Sequence, residues 1–361
     1  MRNRLLRATL ATGLLLLLVA CAPNATQDTL QPKGPNAESL KALFVPVFWV
    51  AVGVFVLVEG AIVWIAIRFR HRAGRERMPA QIHGNTRLEI GWTIAPALIL
   101  AGVMIPTIAT IWDLARRPPD NALNVKVEAF QWWWGFTYTD PDMARNYGDR
   151  DPIRTSDVLV IPEDRPVYLS LEAAGGEIGD YMVIHSFWVP ELAGTQDVVP
   201  NRTNHLLLQA DEPGTYEGQC KEFCGLQHGR MKFKVVALSA ADWERWVVNE
   251  RREATLPTGG LAREGMDLFL NPSLSGGRGS CTTCHTVGGT KASATSAPEL
   301  THFADPTHVC FAGCNWSTTD REALEAWLRD PNAVKLGSKM PNYHLSQEEI
   351  DALVAFLSSL K

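Results

Sequence analysis

The chain opens with three apolar stretches and then changes texture. Residues 8–20 are mostly apolar after a basic start at Arg2, Arg4 and Arg7. That run is short for a membrane span and reads as a signal peptide over residues 1–20. Residues 21–42 are polar and rich in Pro, Asn and Gln, which predicts a linker outside the membrane. Residues 43–67 are almost unbroken apolar sequence, and a second such run covers about 90–112. About 20 helical residues cross the hydrocarbon core, so each run predicts a spanning helix. Pro96 and Pro106 lie in the second and are tolerable there when neighbours satisfy the freed backbone. From Val125 apolar and polar positions alternate in short runs such as VKVEAFQWWWGFTY, PVYLSLEA and MKFKVVAL, broken by Pro, Gly, Asp and Asn. This is the pattern of an all-β sandwich or barrel. Residues 243–253 and 346–360 return to helical spacing.

Charge sets the direction of the hairpin. Arg68, Arg70, Arg72, Arg75, Arg77 and Arg87 fill the loop between the two spans, which places that loop in the cytoplasm and both outer ends in the periplasm. The net charge of −5 on 361 residues is too small to suggest a nucleic-acid partner. The signal segment ends Leu18-Val19-Ala20-Cys21, similar to a bacterial lipoprotein box, so cleavage before Cys21 and lipidation of its thiol are expected. Ordinary secretion is the alternative.

The chemistry is concentrated in residues 218–236. Cys220, Glu222, Cys224, His228 and Met231 fall in one short loop between the last two expected strands. Thiolate, imidazole and thioether together select soft metals. A closed zinc site has no use for the Met. A mononuclear blue-copper site uses a single Cys. Two thiolates four residues apart can bridge two copper ions, each taking one His and one weaker ligand. The second His must come from elsewhere, and His185 in IHSFWVPEL is the best candidate. The plain alternative is a Cys220–Cys224 disulfide beside an incidental His and Met.

A second centre follows a Pro/Gly linker. Cys281-Thr282-Thr283-Cys284-His285 is the attachment signature of c-type haem, with His285 as an axial ligand. Met340 leads for the opposite axial position, ahead of His302, His308 and His344, because Met with His raises the haem potential. Cys310 and Cys314 lack the spacing and His of a second haem motif, and a local disulfide suits an oxidising compartment.

C-x-E-x-C-G-x-x-H-x-x-M preceded by HSFWVPEL resembles the binuclear CuA site of cytochrome c oxidase subunit II, and the whole chain after Cys21 resembles the form with a fused cytochrome c domain. The resemblance implies a multidomain fold. A two-helix transmembrane hairpin covers 43–115, an all-β cupredoxin Greek-key sandwich 122–250 and an all-α class I cytochrome c domain 258–361. It implies that Cys220 and Cys224 bridge the coppers. His185, His228, Met231 and the Glu222 carbonyl then complete the set, and the Glu222 carboxylate faces a magnesium or manganese ion. By the same resemblance Trp132 is the electron-input residue, Glu89 lies at a proton-channel mouth and KMP around Met340 matches the class I haem ligand.

The implied partners are the catalytic subunit I, further oxidase subunits including subunit III, a periplasmic electron donor and membrane lipid, at the bacterial inner membrane. Proton translocation would accompany oxygen reduction. Relatives that dock a separate cytochrome carry an Asp where this chain has Met182, so a tethered haem domain would replace that docking. Competing readings are a nitric oxide reductase using the same relay, and a membrane-anchored redox or copper sensor.

Overall fold

A computed structural model describes residues 25–70, 83–141, 152–175, 182–271 and 280–361, with the isolated positions 13, 81 and 143. The expected signal peptide with Cys21, and Arg72, Arg75 and Arg77 of the hairpin loop, lie outside the described residues.

Helix α1 (Pro35–Arg68) begins earlier than the apolar run. Pro35 stands in the first turn, where its missing N–H costs nothing, so the helix nucleates inside the stretch read as a linker. At 1.5 Å per residue its 34 residues reach about 50 Å, more than the hydrocarbon core needs. The surplus is tied to the β domain: Lys33 N–H donates to the Glu191 carbonyl at 2.7 Å, and the buried Asn36 amide donates to the Leu207 carbonyl. Helix α2 (Thr86–Leu114) is capped by Asn85, whose side chain accepts from the Arg87 and Leu88 amides. Both helices are long and apolar enough to cross a membrane, and Trp49, Leu57, Leu98 and Trp112 on them are exposed.

Among the described residues ten strands form two five-stranded sheets. One contains β1 (Leu123–Phe130), β2 (Trp133–Tyr138), β3 (Arg154–Ser156), β5 (Val167–Ala173) and β8 (Asn204–Leu208), in the order β3-β2-β1-β5-β8. The other runs β4-β10-β9-β6-β7, built from β4 (Val158–Pro162), β6 (His185–Trp188), β7 (Thr195–Val198), β9 (Gly214–Cys220) and β10 (Lys232–Leu238). Each sheet holds one parallel pair, β1 with β5 and β10 with β4, as the chain crosses between layers. Strand alternation places Val125, Val127 and Ala129 in the core and Lys126 and Glu128 outside. Trp134, Phe187 and Phe233 fill the space between the sheets, with Phe187 and Phe233 stacked at 4.4 Å. Gly218 makes room for Phe233: a Cβ there would lie 2.3 Å from the ring. Helix α3 (Ala240–Glu250) closes one end, packing Trp243 and Trp246 on Tyr138.

The last unit is helical. Helix α4 (Gly260–Leu270) crosses α7 (Gln347–Leu357) so closely that a Cβ on Gly265 would lie 1.9 Å from the Ala352 carbonyl oxygen. Between them come α5 (Arg321–Arg329) and the short α6 (Pro331–Val334). Ser346 and Glu349 form a reciprocal capping box at the start of α7.

Candidate copper and haem centres

Strand pairing brings the first donor set together. Phe187 of β6 lies opposite Cys220 of β9, which sets His185 beside the start of the 221–231 loop. The Lys221 amide donates to the Ser186 carbonyl, and the Cys220 amide to the Met231 carbonyl, closing the loop at both ends. Gly225 turns the loop at φ +120°, where a side chain would be strained and its Cβ would meet the Trp132 ring at 2.9 Å.

The two sulfurs of Cys220 and Cys224 stand 3.8 Å apart. A disulfide closes at about 2.0 Å. At the observed spacing one soft ion about 2.3 Å from each thiolate would bridge them. Each sulfur has its own imidazole, His185 Nδ1 at 3.8 Å from Cys220 and His228 Nδ1 at 3.8 Å from Cys224. Each also has a weaker neighbour: the Glu222 carbonyl oxygen is 3.2 Å from Cys220 Sγ, and Met231 Sδ is 3.8 Å from Cys224 Sγ. This paired arrangement fits two copper ions better than one. His185, Cys220, Cys224 and Met231 are buried. The contact between the two sulfurs lowers the Cys220 thiol and raises the Cys224 thiol. The Glu222 side chain is exposed at the outer rim of the loop.

The second donor set lines one apolar cavity. Cys281 and Cys284 are free thiols there, with His285 and Met340 on the same wall system. His285 Nδ1 lies 2.8 Å from the Pro298 carbonyl, which fixes the ring and leaves Nε2 for a metal. Burial lowers this imidazole, against the Pro298 hydrogen bond, which favours the neutral form that can ligate. Phe269, Trp327 and Leu353 supply the apolar lining that a porphyrin face requires. Two thiols, an imidazole and a thioether around one apolar space fit a covalent haem. Among the other axial candidates, His302 is bonded through Nε2 to the Arg252 carbonyl at 3.1 Å, and His344 is exposed. His308 does reach the cavity, where burial lowers it to about 4.

The cavity is completed by the β domain. Gln131 and Trp132 of the β1–β2 turn and Trp133 at the start of β2 line it. Trp132 Nε1 donates to the Cys224 carbonyl at 3.0 Å, and Gln131 Nε2 to the same oxygen at 2.9 Å. Trp132 is only partly exposed, because the haem-type domain covers it. Glu89, in the first turn of α2, accepts from the Asn85 amide at 3.3 Å and so supports the helix start. Cys310 and Cys314 are disulfide-bonded, with Cα atoms 4.8 Å apart.

Sequence reading passed over Asp157, Gln227, Gly313 and Lys335. Asp157 and Lys335 are each 2 % exposed, and both join the domains. Nothing local marks them, since their partners are distant in sequence.

Comparison with known proteins agrees with this architecture. Family models described as the transmembrane and periplasmic domains of cytochrome c oxidase subunit II match residues 23–110 and 123–238, and one described as cytochrome c matches 262–361. Cytochrome c oxidase subunit 2 of Alkalihalophilus pseudofirmus is 35% identical over 96% of this chain and 95% of its own length. The Bacillus subtilis protein of the same name is 32% identical over 98% of both chains. The solved periplasmic domain of subunit II from Bradyrhizobium japonicum is 23% identical, with 36% of this chain and 94% of that one covered and a TM-score of 0.30. The chain belongs to the cytochrome c oxidase subunit II family, in the form that carries a C-terminal cytochrome c domain.

Proposed function

We propose that this chain is the electron-accepting subunit of an oxygen-reducing haem–copper oxidase. Haem c and the CuA pair would each supply a reversible one-electron change when bound. Cys281 and Cys284, with His285 and Met340, would hold the haem. Cys220, Cys224, His185, His228, Met231 and the Glu222 carbonyl would hold the copper pair. The observation that carries the reading is the position of Trp132: its ring lines the haem cavity while its N–H is bonded to the carbonyl of a copper-bridging residue. One electron from a periplasmic donor therefore has a short path from the cytochrome domain into the copper loop, and from there to the haem groups of subunit I. No bond or proton need move within this chain. Reduction of oxygen to water and any proton translocation would belong to the partner subunits, with subunit III among them.

The Glu222 side chain is exposed, and its carboxylate would meet a magnesium or manganese ion at a face toward the catalytic subunit. Glu89 would face the same subunit near its proton channel. The two apolar helices hold the chain in the inner membrane as a multi-pass anchor, with Cys21 acylation as a second attachment.

Purification of the complex through a tag after Lys361, followed by assay with reduced cytochrome c under oxygen or nitric oxide, tests the reading. Oxygen uptake that is lost in Cys220→Ser, while haem c stays attached, is the expected result. Nitric oxide turnover without oxygen uptake would reassign the enzyme. Absence of a haem-rich partner and of both activities would overturn the relay.

A further inference from the structure

The disulfide loop supplies no donor to either centre; it lines the haem cavity through Phe311, Ala312 and Gly313 and sits at the junction of the two domains. The Gly313 amide, within the Cys310–Cys314 loop, donates to Asp157 Oδ2 at 2.7 Å. The Gly313 carbonyl accepts from the Lys232 amide at 3.2 Å, at the start of β10 and directly after the copper loop. Asn315 Nδ2 donates to the Arg230 carbonyl at 2.8 Å. Asp157 is already committed to the β domain, since its other oxygen accepts from the Trp134 amide at 3.0 Å. The loop therefore plugs into a fixed backbone socket. Only glycine fits at its tip: φ is +69°, and a Cβ would lie 2.5 Å from the Arg230 carbonyl oxygen and 2.8 Å from Lys335 Nζ.

The turn after α6 makes a second attachment. Lys335 Nζ lies 3.3 Å from the Trp132 carbonyl, deep in the junction and near Asp157. Gln227, inside the copper loop, donates to the Lys335 and Leu336 carbonyls at 3.3 and 3.2 Å. Arg230 donates to the Val334 carbonyl at 2.6 Å. A buried ammonium is costly unless its charge is answered, so a lysine held this way implies that the docked arrangement is specific. Both attachments grip the copper loop or its flanks, and both lie beside the Trp132 face of the haem cavity.

We propose that the Cys310–Cys314 loop and Lys335 form a docking clasp that seats the cytochrome domain on the copper loop and sets the rate of electron transfer between the two centres within one chain. A tether alone gives a high local concentration but no orientation; the clasp supplies the orientation. The transfer itself moves one electron from the reduced haem to the oxidised copper pair and makes or breaks no bond. Lys335 and Gly313 are positioning residues that act through Trp132.

This inference rests on the proposed relay, and the experiment separates the two. Lys335→Met and the double variant Cys310→Ser with Cys314→Ser are prepared as the full complex. Three readings are taken: absorption of haem c and of the copper centre, transfer from photoreduced haem c to the copper pair, and hydrogen exchange at the Lys232 and Gly313 amides. The expected result is unchanged spectra, transfer slowed about tenfold or more, and faster exchange at both amides. Transfer within twofold of the parent together with unchanged exchange overturns the clasp. If either variant fails to load both centres, Arg230→Ala, which removes an exposed contact to the same turn, is read in its place under the same two criteria. A parent chain that shows no internal transfer would instead overturn the relay, and the exchange data would still decide whether the clasp exists.

Discussion

Trp132 and Cys224 are joined by a hydrogen bond of 3.0 Å from the indole N–H to the Cys224 carbonyl, and the same indole lines the haem cavity. One side chain thus touches both redox sites. Trp132→Phe keeps a ring at the cavity wall and deletes the bond. The Gln131 amide still holds the same carbonyl at 2.9 Å, so the copper loop should stay folded and metallated. Loss of this hydrogen bond frees the ring from the copper loop by about 1 kcal/mol, roughly fivefold in the population that holds it against both sites. Internal transfer from haem c to copper should slow by about that factor, with copper content unchanged by elemental analysis. An unaltered rate would show that the indole N–H has no part in the path.

Met340 and His308 both line the haem cavity, so the axial assignment has a clear test. With Met340 as ligand, Met340→His should lower the haem potential by part of the roughly 0.8 V range that axial ligands span. Redox titration of the haem band reads this directly. His308→Phe should leave the potential near its parent value. The opposite pair of results would make His308 the ligand.

The candidate donor sets were legible because they are local. Cys220, Cys224, His228 and Met231 lie within one loop, and the haem motif is five consecutive residues. His185 was reachable only as the nearest motif that could lend a second imidazole; the β6–β9 pairing is what brings it there. The junction was not legible. Asp157 and Gly313 are 156 residues apart, and a lone lysine in a turn has the look of a solvated side chain. Of the three consecutive tryptophans only Trp134 is buried, because the chain turns at Gln131 and Trp132 between β1 and β2. The early start of α1 was hidden by composition: residues 35–42 are too polar to read as part of a span, yet Pro35 begins a helix that the β domain secures.

Gly265 sets the closest approach of α4 to α7. Gly265→Ala would drive a methyl into the Ala352 carbonyl region and the Phe356 Cβ, 1.9 and 2.9 Å away in the present packing. The helices must separate, and overpacking of this kind costs about 1–3 kcal/mol. Denaturant unfolding followed by haem absorbance should show the midpoint of the cytochrome domain shifted down. The copper signal should persist at denaturant concentrations that release the haem fold.

Two acids line one small pocket where the domains meet. Glu250, on α3, is held well above the carboxylate range by burial, then by Asp305 and Glu299. Burial pushes Glu299 up to about 7, opposed by hydrogen bonds from Thr301 and by the charge of Arg154. A carboxyl whose folded value exceeds its unfolded one keeps its proton longer in the folded state. Its contribution to stability is complete below about 4.5 and is lost as the pH rises through about 7. The shift corresponds to roughly 3 kcal/mol at most, spread over that window. Thermal unfolding of the periplasmic domains between pH 5 and 8 should therefore show stability falling with pH. Glu299→Gln, neutral throughout, should flatten the fall and be the more stable form at pH 8. An equally steep profile in the variant would mean that Glu299 is ionised in the folded chain across the whole range, with Arg154 and not burial deciding its charge.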